Sequence, residues 1–528
     1  VGISNAYKND KSLISENYKA IDDSIREKNT KDSAGSLSID ILDRVSEQLL
    51  NFSDKESGGL KGAPKFPNTA TIDNLWRAFI RTGRKEFEDQ VLLTLTRMSN
   101  GGIYDQLGGG FSRYSVDDQW LVPHFEKMLY DNALLIDIFS TVYQVKKDPL
   151  LKIRVEETIN WVISDMVTSD GGICSAIDAD SEGVEGKYYV WKSKEIDDLL
   201  QNDSSRFKSI FGVTEEGNFE GSNILFFNGS VSDLSDQSII QSRSVLLNER
   251  TKRIAPLLDD KILTDWNGLM IGALARASKI FSNQAWLEHA EKAYEFIVNN
   301  LIIDDVLYHS WREGEVRGIA MLDDHAALID ASISLYTVTH DDKYLNIADA
   351  QLSYLNKYFL DKERGGYYLT SINADDVPIR MKISNDSATP SGNGLLFKTL
   401  VTWWRLSGRI DLKENVSMLE KSFGKVVAEN FSSHCTWISG FESFYKGVDF
   451  IVVGDKKSSV VKEMVEKINN LRLNDSILTI ISPDVDLPKN HPAFGKTNVN
   501  QATTYICTGQ TCSPPILDPD KIKQNLFE

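Results

Sequence analysis

Little in this 528-residue chain suits it to a bilayer, to nucleic acid or to an oxidising exterior. No apolar run approaches the roughly 18 residues of a spanning helix, so a membrane is not an expected partner. Basic side chains number 58 against 76 acidic ones, a formal net charge of −18. No basic patch reverses that field locally, so nucleic acid is not expected either. Cysteine is scarce: Cys174, Cys435, Cys507 and Cys512 are too few to frame a secreted disulfide scaffold and fit a reducing, cytoplasmic location. The phosphate-cradling P-loop, a GxGxxG after a strand, HExxH and the nucleophile elbow of serine hydrolases are all missing, and no cofactor or metal ion is expected. An initiator Met is missing too. The chain begins at Val1, which is read as processing or as part of something longer.

What is present is a hidden repeat. The polar turns RTGRKEF (81–87), KKDPLL (146–151), FSNQAWL (281–287), HDDKYL (340–345) and SGRIDL (407–412) each follow a helix-like stretch. About four helical turns before each lies a polar anchor: Asn68, Asn132, Asn267, His325 and Asn393. Ile-Asp recurs four and five places after an anchor, as Ile72-Asp73, Ile136-Asp137 and Ile329-Asp330. An aromatic recurs at eleven places, as Phe79, Tyr143, Tyr336 and Trp404. After each turn a second helix is expected, with apolar residues at helical spacing such as Leu345, Ala348, Leu352, Leu355 and Phe359. Each unit is an αα-hairpin, and glycine pairs at Gly58-Gly59, Gly101-Gly102, Gly171-Gly172 and Gly365-Gly366 punctuate the exits.

Five or six such hairpins closing in a ring gather their long loops at one mouth. The expected fold is therefore mainly α, an (α/α)6 toroid over residues 35–445, with the anchors pointing into the funnel. A helix near 38–52 supplies a further outer helix, and an insertion covers about 181–258. Residues 1–34 read as a linker or the end of a missing domain. Beyond 446 the pattern becomes strand, helix, strand, strand (449–455, 459–471, 476–482, 503–507), a small C-terminal α/β subdomain over 446–528.

The densest polar segment is GGIYDQLGGGFSRYSVDDQWLVPHFEKMLYDNA, residues 101–133. His124 and Glu126 could supply acid and base with Lys127 as orienting cation, while Asp105, Arg113, Tyr130 and Asn132 offer a binding surface. The alternative is that His124 and Glu126 only fasten the loop. A second cluster, AIDADSEGVEGKYYVW (176–191), sets Asp178, Asp180 and Glu185 beside Tyr189 and Trp191. Carboxylates beside aromatic rings suit a sugar or sugar-like ligand. The same stretch begins like a calcium loop but has Tyr189 where the twelfth-position Glu belongs. The Asn anchors can be explained as helix N-caps alone. His325 follows Asp323 and Asp324, which could fix its tautomer and raise its pKa. Trp266 offers a stacking surface, Lys382 and Asn393 lie near the expected mouth, and Lys65 is a further ligand contact. Cys507 and Cys512 could form a disulfide or half a metal site.

KGAPKFP (61–67), the long 101–133 segment, DADSEGVEGKYYVW, GNFEGSNIL (217–225), DDKILTDWNGLMIGALA (259–275), SATPSGNG and YICTGQTCSPP together resemble the YyaL-type, spermatogenesis-associated protein family. The resemblance runs from about residue 35 to the C-terminus. It implies a six-hairpin glycosidase-like barrel similar to N-acylglucosamine 2-epimerases, with a thioredoxin-like domain that would lie before Val1. The family carries Tyr where this chain has His325. The expected function is a carbohydrate-active barrel, hydrolase or epimerase, with His124, Glu126, Asp178 and Asp180 transferring protons. The expected partners are a sugar-like small molecule and an in-chain thioredoxin-like domain, and the expected assembly is a monomer. The alternative is a non-catalytic barrel that binds a client or glycan for its redox partner.

Overall fold

The computed structural model describes residues 4, 7–8, 11–30, 34–374, 377–471, 473, 476–483, 485, 487, 489, 491–509 and 511–523. Positions 1–3, 5–6, 9–10 and 31–33 of the expected linker lie outside the described residues, and Lys11–Thr30 is a helix.

Six inner helices form a closed ring, in order Thr69–Thr82, Leu129–Lys146, Thr264–Phe281, Leu322–Thr339, Gly392–Ser407 and Cys435–Lys446, each packed on the next and the sixth on the first. Outer helices Lys85–Asn100, Pro149–Trp161, Gln284–Leu301, Lys343–Tyr358 and Ile410–Glu429 each pair with the inner helix that precedes them. The sixth outer place is taken by Ile41–Phe52, from the start of the chain, so the final hairpin is split between the two ends of the barrel.

Sequence explains the division of labour. Ile41–Phe52 buries one stripe, Ile41, Leu42, Val45 and Leu49, as an amphipathic outer helix does. Leu129–Lys146 buries residues all round, including Leu129, Leu135, Ile136, Ile138 and Phe139, and so sits inside. Small residues bring inner helices close: a β-carbon on Gly268 would meet the Ala327 carbonyl at 2.7 Å, so the third and fourth helices touch backbone to backbone. The closing seam is polar. Asn74 donates to the Cys435 carbonyl (2.9 Å), Ser439 donates to Asp73 (2.7 Å) and Arg81 pairs with Glu442 (2.6 Å).

Between the second and third hairpins, helices Ser193–Leu200, Ser204–Ile210 and Gln237–Arg250 close over an apolar cluster of their own, with Trp191, Phe207, Phe211 and Leu246 at its centre. At the C-terminus a four-stranded sheet has the order Ile477–Ile481, Val448–Val453, Thr503–Thr508, Thr511–Cys512. Its parallel pair, Asp449 opposite Ile477, is joined by the helix Ser459–Asn469, the crossover that parallel strands require. Cys507 and Cys512 face each other across the last pair and form a disulfide, which decides between the two pairings left open by sequence. A buried ion pair, Arg405 to Asp449 at 2.6 Å, ties this unit to the fifth inner helix. No helix among the described residues is long and apolar enough to cross a membrane.

Candidate active site at the mouth of the toroid

The inner-helix N-termini converge at the mouth, where Asn68, at the N-cap position of the first, lines the cavity, but the other three Asn anchors do not point into it. Asn132, Asn267 and Asn393 are wholly buried and repeat one contact. Asn132 Oδ1 accepts the Phe111 N–H (2.8 Å), and its Nδ2 donates to the Phe111 and Met128 carbonyls (3.0 and 2.9 Å). Asn267 clasps Ile173 in the same way, with Leu263, and Asn393 clasps Tyr367, with Ile383. In each case a glycine pair delivers the clasped residue: Gly109-Gly110, Gly171-Gly172 and Gly365-Gly366, five of these six at positive φ. These three anchors are thus neither ligand contacts nor caps of their own helix. A carboxamide carries both a donor and an acceptor, which is what one extended residue's N–H and C=O require.

His325 is also corrected. It is wholly buried, its Nδ1 on Gln351 Oε1 of the adjoining outer helix (2.8 Å) and its ring stacked on Tyr354. Burial pushes its pKa down to about 4, opposite to the expected rise. Successive helix positions point about 100° apart, so Asp324 turns away from it, toward a different histidine.

Several expected ligand contacts are spent inside the protein. Asp105 receives Arg250 through both oxygens (2.8 and 2.8 Å) and Lys127 (2.9 Å), with both cations buried and the Asp105 side chain only 6% exposed. Against burial, those two cations hold the Asp105 carboxyl far below the usual range. Tyr189 covers the group, its ring 5.2 Å from Lys127 Nζ and 5.3 Å from the Arg250 guanidinium. Lys65 pairs with Asp54 (2.7 Å), Lys382 with Asp361 (2.7 Å), and Trp191 is buried under Arg253. These residues fasten the mouth loops to one another.

On the rim, His124 stacks on Tyr114 and its Nδ1 lies 2.7 Å from Glu185. Its Nε2 is 4.0 Å from Glu126, which pairs with Arg113 (3.3 Å). Asp178 and Asp180 share an outlying hairpin in which the Asp180 N–H donates to Asp178. Neither lines the central cavity.

That cavity, about 830 Å³, runs down the ring. Of the expected site residues it reaches Arg113 and Tyr130. It also reaches two further carboxyls. Asp131 is nearly wholly buried with its Oδ2 unpartnered, and burial raises it well above the carboxylate range. Asp386 accepts the Ser391 and Thr436 N–H groups (3.1 and 2.8 Å), and burial pushes it up to about 6. They belong to the second helix and to the loop entering the fifth, three places apart in a ring of six, hence on facing walls. Deeper, the recurrent Asp73, Asp137 and Asp330 all line the cavity. The third helix has Gly272 at the matching place. A β-carbon there would come within 3.1 Å of Arg276 and Asp330, and the vacancy lets Arg276 bridge Asp137 (2.6 Å) and Asp330 (3.1 Å).

The most reactive grouping lies beside the mouth. His309, on the strand Val306–Arg312, places Nδ1 at 2.9 and 3.1 Å from the two oxygens of Asp324. Asp324 is buried and fixed further by the N–H groups of Met321 (2.8 Å) and Asp265 (3.2 Å). Reactive atoms of Asp265, His309 and Asp324 all lie within 4.8 Å of one another. The hydrogen bond to Asp324 raises the His309 pKa; burial, then the charge of Asp324, raises that of Asp265. Asp323, beside them, is pushed up to about 6 by burial and by Asp324. The spacing would admit a divalent cation, but the His309–Asp324 bond satisfies the group without one. Trp266, next to Asp265, meets Tyr130 edge-on at 4.8 Å, linking this grouping to the cavity wall.

No family model matches the chain. Human spermatogenesis-associated protein 20 is 27% identical over 542 residues, covering 92% of this chain and 69% of its own length. The rat protein of that name is 26% identical over 543 residues, covering 92% and 69%. The chain is a homologue of spermatogenesis-associated protein 20. Among solved structures, a D-mannose isomerase aligns with a TM-score of 0.47 at 11% identity, covering 72% of this chain and 84% of that one. An unsaturated glucuronyl hydrolase from a Bacillus species aligns at 0.46 and 10%, covering 77% and 95%. The fold is the (α/α)6 toroid that the ring of helices displays.

For this homologue, sequence reasoning missed His309 altogether, because it lies in a hairpin between repeats with no acidic neighbour in sequence. Asp265 was visible as the residue before Trp266, and Asp324 as one neighbouring His325. Their pairing with a histidine fifteen places before Asp324 left no local signal.

Proposed function

We propose that the toroid is an acid/base enzyme acting at its mouth on a hydroxyl-rich ligand of sugar type, by hydrolysis or epimerisation. The observation that carries this reading is the His309–Asp324 pair with Asp265 beside it, at the N-termini of two adjacent inner helices and against the aromatic wall of the cavity. Asp324 orients the imidazole through Nδ1 and favours its protonated form, leaving Nε2 to deliver a proton to a ligand oxygen. Asp265, on the same side and raised to about 7, takes a proton from a carbon or a water of the ligand in its ionised form. Trp266 and Tyr130 cover an apolar sugar face, and Asp131 and Asp386 bond hydroxyls from opposite walls. The unpartnered Asp131 Oδ2 is an acceptor that such a hydroxyl would satisfy. In this reading Glu126 and His124 hold Arg113 and the rim, while Asp178 and Asp180 take no part in proton transfer.

The test is turnover of a panel of neutral oligosaccharides and aldoses, followed by NMR in D2O for new reducing ends and for exchange at C2. Wild type should act on one class and His309→Gln should not, with binding retained. Binding that is equal in both proteins, with neither cleavage nor exchange, overturns the enzyme and favours a barrel that presents a client or glycan to a thioredoxin-like partner.

A further inference from the structure

Three of the mouth loops share a lysine clamp. Lys65 donates to Asp54 (2.7 Å) and the Gly58 carbonyl (2.8 Å), Lys127 to Asp105 (2.9 Å) and Gly109 (2.7 Å), and Lys382 to Asp361 (2.7 Å) and Gly365 (3.2 Å). Two of these loops add the asparagine clasp, Asn132 on Phe111 and Asn393 on Tyr367. In the loop before the first inner helix the matching residue is Leu60, which bridges Ser53 as Phe111 bridges Tyr104 and Tyr367 bridges Leu360. Asn68 does not clasp it. Its backbone is left-handed (φ 48°), its Nδ2 donates to the Phe66 carbonyl (3.0 Å), and its Oδ1 accepts no hydrogen bond among the described residues. Asn68 is exposed and lines the cavity, so the ring of clasps is open at the first hairpin.

Phe66, beside it on the cavity lining, is 39% exposed. Backbone pairing holds it there. Lys65 and Ser115 exchange N–H···O bonds (2.8 and 2.9 Å), and the His124 N–H donates to the Tyr114 carbonyl (2.9 Å), so three extended segments lie side by side. Side chains alternate across such a sheet. Lys65, Ser115 and Pro123 are buried on one face, and Phe66, Tyr114 and His124 form a row on the other, their ring centres 4.8 and 4.9 Å apart. A lone exposed ring on a surface needs no explanation. This one is backed by Tyr114 at the rim of a cavity, next to a carboxamide oxygen that the fold does not use.

The first inner helix faces the fourth across the ring, and the fourth begins with Asp324 and its partner His309. Neighbouring packed helices lie 8–10 Å apart, which sets facing axes of a ring of six about 16–20 Å apart. A ligand that meets both walls is therefore longer than one sugar ring.

We propose that Phe66 and Asn68 form an outer sugar-binding subsite, Phe66 stacking on the apolar face of a sugar and Asn68 Oδ1 accepting from one of its hydroxyls. The ligand is then an oligosaccharide, with its reacting unit at the His309 group and its chain leaving the mouth over the first hairpin. This rests on the proposed chemistry of the mouth and adds the substrate class.

Calorimetric titration of the full chain carrying His309→Gln, which should bind without turnover, tests it with cello-, manno- and xylo-oligosaccharides, each series from monosaccharide to tetrasaccharide. In one series affinity should rise about tenfold with length. That gain should vanish in Phe66→Ala, persist in Phe66→Trp, and shrink in Asn68→Gly, which keeps the left-handed backbone unstrained. Affinity independent of length in every series, no binding in any of them, or a gain unchanged in both Phe66→Ala and Asn68→Gly overturns the subsite. So does a loss in Phe66→Ala that is equal at every length. Turnover by wild type without a gain from length leaves the chemistry of the mouth standing and removes only the subsite. A gain that depends on Phe66, with no turnover in wild type, does the reverse.

Discussion

The two ends of the ring place opposite charges where helix dipoles favour them. Inner-helix N-termini gather Asp131, Asp265, Asp323 and Asp324, and the C-termini gather Lys147, Lys279 and His340. They differ in how that charge is balanced. At the mouth a single histidine serves a group of three carboxyls, which raises two of them and leaves protons to be shared. At the far end burial, then the charges of Lys456 and Lys279, holds the His340 pKa down. The Asp105–Arg250–Lys127 clamp shows the contrasting case, where one enclosed carboxylate is shared by two cations and holds loops together.

The largest effect should come from breaking the mouth. His309→Gln or Asp324→Asn should lower turnover by about 10² to 10⁴-fold with little change in fold, read from initial rates and circular dichroism. Breaking the clamp should instead cost stability: Asp105→Ala strands two buried cations and should lose about 3–5 kcal/mol in denaturant unfolding. A loss below 1 kcal/mol would show that the clamp is not a scaffold element. Asn267→Ala leaves the Ile173 N–H and two carbonyls unsatisfied and should lose about 1–3 kcal/mol, with no effect on ligand affinity. An affinity change larger than the stability change would return the anchors to the binding surface.

A smaller effect concerns pH. The His325 pKa is about 4 when folded, against an ordinary 6.5, so folding favours its neutral form. Its contribution is complete above about pH 6.5 and falls away as pH drops toward 4, because the unfolded chain binds the proton first. The Tm difference between wild type and His325→Asn should therefore shrink in wild type's disfavour across that window. A difference independent of pH would show that the ring titrates normally.

Much of this was legible in the chain. Five anchors, the turns after them and the glycine pairs at the exits foretold a toroid, and the helix near 38–52 was expected as an outer member. The Asp that follows each Ile in the repeat is on the cavity wall in all three helices that carry it. Asn132, Asn267 and Asn393 were visible as a repeated feature, but their role was not, since a carboxamide serves a cap, a ligand or a strand equally well. The 101–133 segment drew attention by its density of charge. In the fold Asp105 and Lys127 are consumed internally, while Asp131, one residue before an anchor, reaches the cavity.

Sequence by itself determined the helical repeat and the homology to spermatogenesis-associated protein 20, because these rest on local periodicity and on runs of adjacent residues. Tertiary structure alone decided which charges meet. Asp105 finds Arg250 from 145 places away, Asp137 finds Arg276 across a gap left by Gly272, and Asp324 turns to His309 rather than to its neighbour His325. Helix phase and ring closure set those meetings, and neither is written in the spacing of the residues that take part.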